Sequence, residues 1–195
     1  MPIWLNEPPF WESRAGELRV RTGLSTDFWN NTFYDFVHDN GHFFGEAVSG
    51  DFSAEAEFSA DYRALYDQAG VMLRVAADNW LKAGIEFTDG ALHFSVVVTR
   101  DGQSDWSVTP LADGASNGIE MRLTRHAEAL RVQVREQGQA WRLVRLAYLR
   151  MPPTVDIGPM CCSPIGSGLD VVFSRFAIGA PISRNLHDDG TAGET

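Results

Sequence analysis

Along most of the chain apolar and polar residues alternate with a period of two, and no long run follows the 3.6-residue period of a helix. In "DFSAEAEFSADY", Phe52, Ala54, Ala56 and Phe58 share one side, and Ser53, Glu55, Glu57 and Ser59 the other. Side chains two apart on a strand project from one face, so this stretch predicts a half-buried strand. "WLKAGIEFTDGALHFS" alternates in the same way through Leu81, Ala83, Ile85 and Phe87, then Leu92 and Phe94. Asp89-Gly90 between the halves is a two-residue hairpin turn, which sets Glu86 opposite His93, Gly84 opposite Ser95 and Lys82 opposite Val97. Asn40-Gly41 predicts a second hairpin, pairing Asp39 with His42 and His38 with Phe43.

"AGVMLRVA" reads as a more deeply buried strand. From Ile119 to Leu149 the period stays near two, through Met121 and Leu123, then Leu130, Val132 and Val134, then Trp141, Leu143 and Leu146. That predicts a three-stranded meander with a turn at Gln137-Gly138 and a solvated face of Arg131, Gln133, Arg135 and Arg142. "PMCCSPIGSG" reads as a loop and "LDVVFSRFAIG" as a last strand. About ten short strands with turn signals between them predict an all-β sandwich or barrel. One domain is expected over residues 1–182, and residues 183–195, polar and poor in apolar side chains, predict a flexible tail.

The composition changes this picture in few places. A chain of 195 residues, 44% hydrophobic and 22% charged, is ordinary for one globular core. The formal net charge of −10 argues against nucleic acid and against anionic membranes, since both need clustered Lys and Arg. The start "MPIWLNEPPFWESRAG" has no signal-peptide pattern, and no apolar run nears the about 18 residues that span a bilayer. Cys161 and Cys162 are adjacent, so they cannot staple distant strands, and a reducing cytoplasm is the expected location. They also lack the spacing of a two-thiol metal or redox site, and are read as buried thiols.

Five stretches carry a resemblance: "TDFWNNTFYDFVHDNGHFF", "YDQAGVMLR", "WLKAGIEFTDG", "VVVTRDGQSDWS" and "CCSP". Together, in this order, the chain from about Trp4 to Ile178 resembles the family of domain of unknown function 1349, whose fungal members include one described as a regulator of enolase. The resemblance implies a concanavalin A-like lectin/glucanase fold, a jelly-roll sandwich of two antiparallel sheets, one concave. It implies no reaction and no catalytic residues, and the fold hosts many functions.

Candidate chemistry must come from the residues themselves. Trp80, Lys82, Glu86, His93, Ser95 and Thr99 share the polar face of the predicted hairpin. An indole such as Trp80 can stack on a pyranose while the others hydrogen-bond its hydroxyls, and Gly84 leaves room for an approach to the backbone. "SDWS" adds Asp105 and Trp106, and Gln68 opens the buried strand. The bland alternative is an ordinary wet sheet face with a Glu86–His93 cross-strand contact. The expected function is non-catalytic binding of a carbohydrate or small polyol on the concave face. Trp80 and Trp106 would stack, and Lys82, Glu86, His93 and Gln68 would hydrogen-bond.

A glycoside-active enzyme would use Glu86 as acid or base with a second carboxyl about 5 to 9 Å away, from Glu55, Glu57 or Asp67. "IEFTDG" departs from the Glu-x-Asp-x-x-Glu pattern of glucanases with this architecture, because Glu86 and Asp89 differ in parity. A third reading is a protein-interaction module regulating a metabolic enzyme. Asp35, His38, Asp39 and His42 read as turn polarity and not as a metal site, and Asp67 as a carboxylate fixing a loop. No cofactor motif is present.

Overall fold

The computed structural model describes residues 1–112, 115, 118–136 and 138–186. Among them the alternation resolves into sixteen strands, forming two seven-stranded antiparallel sheets and a two-stranded ribbon. The first sheet runs in the order β1 (Ile3–Leu5), β6 (His42–Ser49), β15 (Thr154–Cys162), β8 (Gln68–Ala76), β9 (Asn79–Thr88), β10 (Ala91–Arg100) and β11 (Gln103–Pro110). The second runs β14 (Arg142–Tyr148), β13 (Ala129–Glu136), β12 (Ile119–His126), β7 (Phe52–Ala60), β16 (Asp170–Gly179), β3 (Glu17–Arg21) and β2 (Phe10–Arg14). The ribbon is β4 (Phe28–Asn30) with β5 (Val37–Asp39). The sandwich expected from the period is therefore the fold.

Its core follows from parity. Val71, Leu73, Leu81, Ala83, Ile85, Phe94, Val96 and Val98 of the first sheet meet Phe52, Ala54, Ala56, Phe58, Met121, Leu123, Leu130 and Val132 of the second in one buried cluster. Removing this apolar surface from water is the main driving force holding the layers together. Asp89 and Gly90 adopt φ values of 53° and 75°, the positive pair that a tight turn between twisted strands requires. β9 and β10 consequently pair Glu86 with His93, Gly84 with Ser95 and Lys82 with Val97, as the turn predicted.

Several expectations are corrected. Asn40-Gly41 does not turn a hairpin: β5 pairs with β4, and β6 with β1 and β15. Asn40 serves as a clasp, its amide oxygen accepting from the Asp27 N–H at 3.0 Å and its amide nitrogen donating to Ser25 O at 2.8 Å. Gly41 has no positive φ; a Cβ there would collide with the Phe28 ring and Cys162 Sγ. "PMCC" is not loop but the end of β15, an interior strand that Pro159 disguises. Proline has no N–H to donate, and the ladder from β15 to β6 omits Gly158 and Pro159.

The meander forms, yet its Arg-rich face is largely covered. Arg131 is 3% exposed and Gln133 1%, Arg135 is half-buried, and only Arg142 of the four is open. Trp141 lies over the guanidinium groups of Arg122 and Arg135, at 4.2 and 4.6 Å. Beneath it Glu120 accepts from Arg135, and Arg175 bridges Glu55 and Glu120. Such pairing is what permits charge on a covered face. Arg131 donates to the carbonyls of Asn185 and Leu186 at 3.1 and 3.0 Å, so the first part of the expected tail docks on the sheet. Residues 187–195, like Gln137 of the expected turn, lie outside the described residues. A bulge opposite Val132 and Gln133 shifts β14, leaving Leu143 and Leu146 exposed while Ala147 turns inward.

Candidate functional site

The even-numbered side chains of β9 point away from the interlayer core, where an antiparallel sheet normally meets water. Here that face is covered. Residues 23–40, carrying β4 and β5, lie across it, and Phe28, Phe43, Met72, Trp80, Val97, Met160 and Cys162 form a second buried cluster. Polar ties hold the ribbon down: Asn30 N–H donates to Ser104 Oγ at 2.9 Å, Asn31 to Gly102 O at 2.8 Å, and Lys82 Nζ to Phe28 O at 2.6 Å. Arg74 grips Asp39 with two hydrogen bonds of 2.7 and 2.8 Å, the fork-on-carboxylate geometry that fixes orientation as well as charge.

Beyond the end of this second core a cavity of about 340 Å³ opens between sheet and ribbon. Its lining combines Gln68 of β8, Lys82 and Glu86 of β9, and Trp106 of β11 with Asp27, Trp29, Tyr34, Phe36 and His38 of the ribbon segment. Tyr66 and Ile165 come from neighbouring loops. The charged groups fall into two hydrogen-bonded sets, one around Asp27 and one around Glu86. Asp27 Oδ1 accepts from Lys82 Nζ at 3.1 Å, from Gln68 Nε2 at 3.2 Å and from its neighbour Phe28 N–H at 2.7 Å. Trp106 Nε1 donates to Glu86 Oε2 at 3.2 Å and to Ser95 Oγ at 3.0 Å.

Burial pulls the Lys82 ammonium toward neutrality, but its anionic neighbours, Asp27 foremost, outweigh it and hold the pKa above the ordinary lysine value. For Glu86 burial dominates and pushes the carboxyl above its ordinary value, against the opposing pull of Lys82, Ser95 and Trp106. The Tyr66 hydroxyl, hydrogen-bonded to Tyr34, is pushed up to about 12. Burial also raises both thiols, Cys161 and Cys162, away from the reactive thiolate.

Of the residues singled out from sequence, Gln68, Lys82, Glu86 and Trp106 meet in this cavity. Trp80 does not. Its ring is fully buried, edge-on to Phe28 at 6.2 Å, with the indole N–H donating to Ala77 O, so it has no free face to offer a ligand. His93 pairs with Glu86 on the sheet but is not part of the lining. Asp105 has the opposite parity to Trp106 and ion-pairs with Arg145 of the second sheet at 2.9 Å. Gly84 sits opposite Gly70, and what approaches its backbone is β8 itself, since a Cβ on either glycine would strike the other strand.

The carboxylates expected to partner Glu86 lie elsewhere: Glu55 pairs with Arg122 and Arg175 on the second sheet, and Glu57 is exposed beside it. Asp67 accepts from the Arg63 and Ala64 N–H groups and from Ser163 Oγ, and so pins a loop. Asp27 is the second carboxylate of the cavity, unmarked by any alternation. His38, Asp39 and His42 do not converge, and among the described residues no group of three His, Cys, Asp or Glu is placed to hold a metal. The missed wall residues left one trace, five aromatic residues within Phe28–Phe36 that follow no strand period.

Residues 4–181 match the model of a family described as protein of unknown function (DUF1349). The chain belongs to that family. A relative, Regulation of enolase protein 1 of Saccharomyces cerevisiae, is 43% identical over 188 residues, covering 95% of this chain and 92% of the yeast protein. The crystal structure of a functionally unknown protein from Saccharomyces cerevisiae superposes with a TM-score of 0.88 at 40% identity, over 93% of this chain and 97% of the other. The sandwich reaches beyond the DUF1349 family. The carbohydrate binding module CBM66 from Bacillus subtilis has a TM-score of 0.58 at 13% identity, over 91% of this chain and 95% of its own, a likeness of fold alone.

Proposed function

We propose that this DUF1349 protein is a non-catalytic binding protein whose cavity between sheet and ribbon takes a carbohydrate or small polyol. What carries the reading is the composition of that cavity: aromatic walls from Trp29, Tyr34, Phe36, Tyr66 and Trp106 over a floor of buried hydrogen-bonding groups, Gln68, Lys82 and Glu86. Gln68 spends its amide nitrogen on Asp27 and Tyr66 O, which leaves its carbonyl oxygen to accept from a ligand. Lys82 spends two of its three N–H bonds on Asp27 and Phe28 O, which leaves one to donate. A few convergent polar groups within an apolar enclosure are the usual design of small-molecule sites. That a fold neighbour is described as a carbohydrate binding module agrees with this reading but does not carry it. The buried, unlinked thiols suit a reducing cytoplasm.

Glycan-array screening followed by calorimetry of the hits tests the proposal. Trp106, 39% exposed, stands on the sheet platform beside Glu86, with its indole open to the cavity. Trp106→Ala should weaken binding by about 1–3 kcal/mol while leaving the fold intact. A broad sugar and polyol panel with no binding removes the proposal.

A second reading, docking onto a metabolic enzyme, draws on the name of the yeast relative and on one observation. Phe33, Leu24 and Ile165 are 89%, 65% and 64% exposed, in or beside chain segments that line the cavity. Sedimentation of the purified protein with enolase, with Phe33→Ser as the variant, separates the two readings.

A further inference from the structure

The formal charges of the cavity do not balance. Counting histidine as neutral, its lining holds two carboxylates, Asp27 and Glu86, against one ammonium, Lys82. Lys82 is committed: its Nζ lies 3.1 Å from Asp27 Oδ1 and 2.6 Å from Phe28 O. Asp27 also takes the Gln68 amide, so those two charges are satisfied within the protein. Glu86, 5% exposed, has no ion pair of its own among the described residues: its donors, the Trp106 indole at 3.2 Å and the Ser95 hydroxyl, are neutral, and the nearby Lys82 is tied to Asp27. A buried carboxylate without a matching cation is costly, and burial accordingly disfavours its charged form. The same cavity is lined by five aromatic side chains, the residue type that recognises ammonium groups through the negative faces of the rings. The whole chain carries −10, which draws cations toward the cavity mouth and repels anions.

We propose that the ligand of this cavity bears a protonated or quaternary amine, as an amino sugar does, with the ammonium against Glu86 and the aromatic walls. This rests on the cavity being the binding site named above and narrows its ligand class. A neutral polyol would leave Glu86 without an ion pair. An ammonium supplies the missing charge and up to three donors to the carboxylate.

The test compares matched ligands by calorimetry, at a pH where the amine is protonated: glucosamine, glucose and choline, each at low and raised salt. Glucosamine should bind roughly tenfold or more tighter than glucose, with a preference that shrinks as salt is added. Glu86→Gln, nearly isosteric, should bring glucosamine down to the level of glucose. Glu57→Gln removes the same charge from the far sheet and should leave the preference in place. Equal binding of glucose and glucosamine overturns the amine assignment while the carbohydrate reading stands. Choline binding without either sugar supports the ammonium site and overturns the carbohydrate reading. Binding of neither glucosamine nor choline overturns the proposal. A preference that survives in Glu86→Gln, with the variant's unfolding unchanged, overturns the role of Glu86.

Discussion

Replacing Trp80 with alanine separates a residue that anchors the ribbon from one that stacks on a ligand. Trp80 has no exposed surface, its ring meets Phe28 at 6.2 Å, and its N–H donates to Ala77 O at 3.2 Å. Truncating a fully buried aromatic to alanine costs about 3–5 kcal/mol in lost transfer energy and residual cavity. For a chain of this size each kcal/mol moves the midpoint by about 2–4 °C, so the expected fall in Tm is roughly 6–20 °C. The loss should have a local signature as well. Phe28 would lose its partner in the second core, so limited proteolysis should cut Trp80→Ala within residues 31–37 earlier than wild type. Calorimetric melting and timed digestion with mass analysis provide both readouts. A variant whose Tm stays within about 2 °C of wild type while its ligand affinity collapses would refute the reasoning. It would return the indole to the role the sequence suggested.

Two further perturbations test the same architecture. His42 is held neutral, its Nε2 accepting from Gly23 N–H at 2.9 Å and its Nδ1 donating to Asn6 O at 2.5 Å, and burial lowers its pKa below the ordinary 6.5. The stabilisation tied to this depressed value is complete above the unfolded pKa and is lost as pH falls through the lower folded one. Urea unfolding from pH 8 to pH 5 should therefore lose stability more steeply in wild type than in His42→Gln, and parallel profiles would contradict the assignment. Gly41→Ala forces a Cβ into the Phe28 ring and Cys162 Sγ, and should cost about 1–3 kcal/mol at the denaturant midpoint. Gly179→Ala, which meets nothing within 4 Å, should stay within about 0.5 kcal/mol.

Where side-chain parity and turn geometry speak together, the chain is legible to the residue. Asp89-Gly90 adopts the paired positive φ of a two-residue turn, and the β9–β10 register follows from it. Parity also reads correctly in β7, where Phe52, Ala54, Ala56 and Phe58 enter the core. Parity says which side of a strand a residue takes, not what lies over that side. Trp80, Arg131 and Gln133 all occupy outward faces, yet the ribbon covers the first, residues 185 and 186 lie against the second, and the third is 1% exposed. The same blindness hid Asp27 from the site, since its link to Lys82 spans fifty-five residues and only the folded ribbon closes it. Asn40-Gly41 misled for a different reason. Its turn-forming composition serves a clasp and a close packing contact, and neither depends on positive φ.

Six of the side chains facing the cavity come from one unbroken stretch between Ser25 and His38, while Gln68, Lys82, Glu86 and Trp106 stand on hydrogen-bonded strands. Under the proposed function, recognition is divided between a fixed platform and a replaceable cassette. Rewriting a handful of consecutive codons would reshape one wall without disturbing any ladder of the sandwich, much as hypervariable loops diversify on a constant framework. Two members sharing the same platform could thus read different molecules, and grafting this cassette between them would transfer the preference along with it.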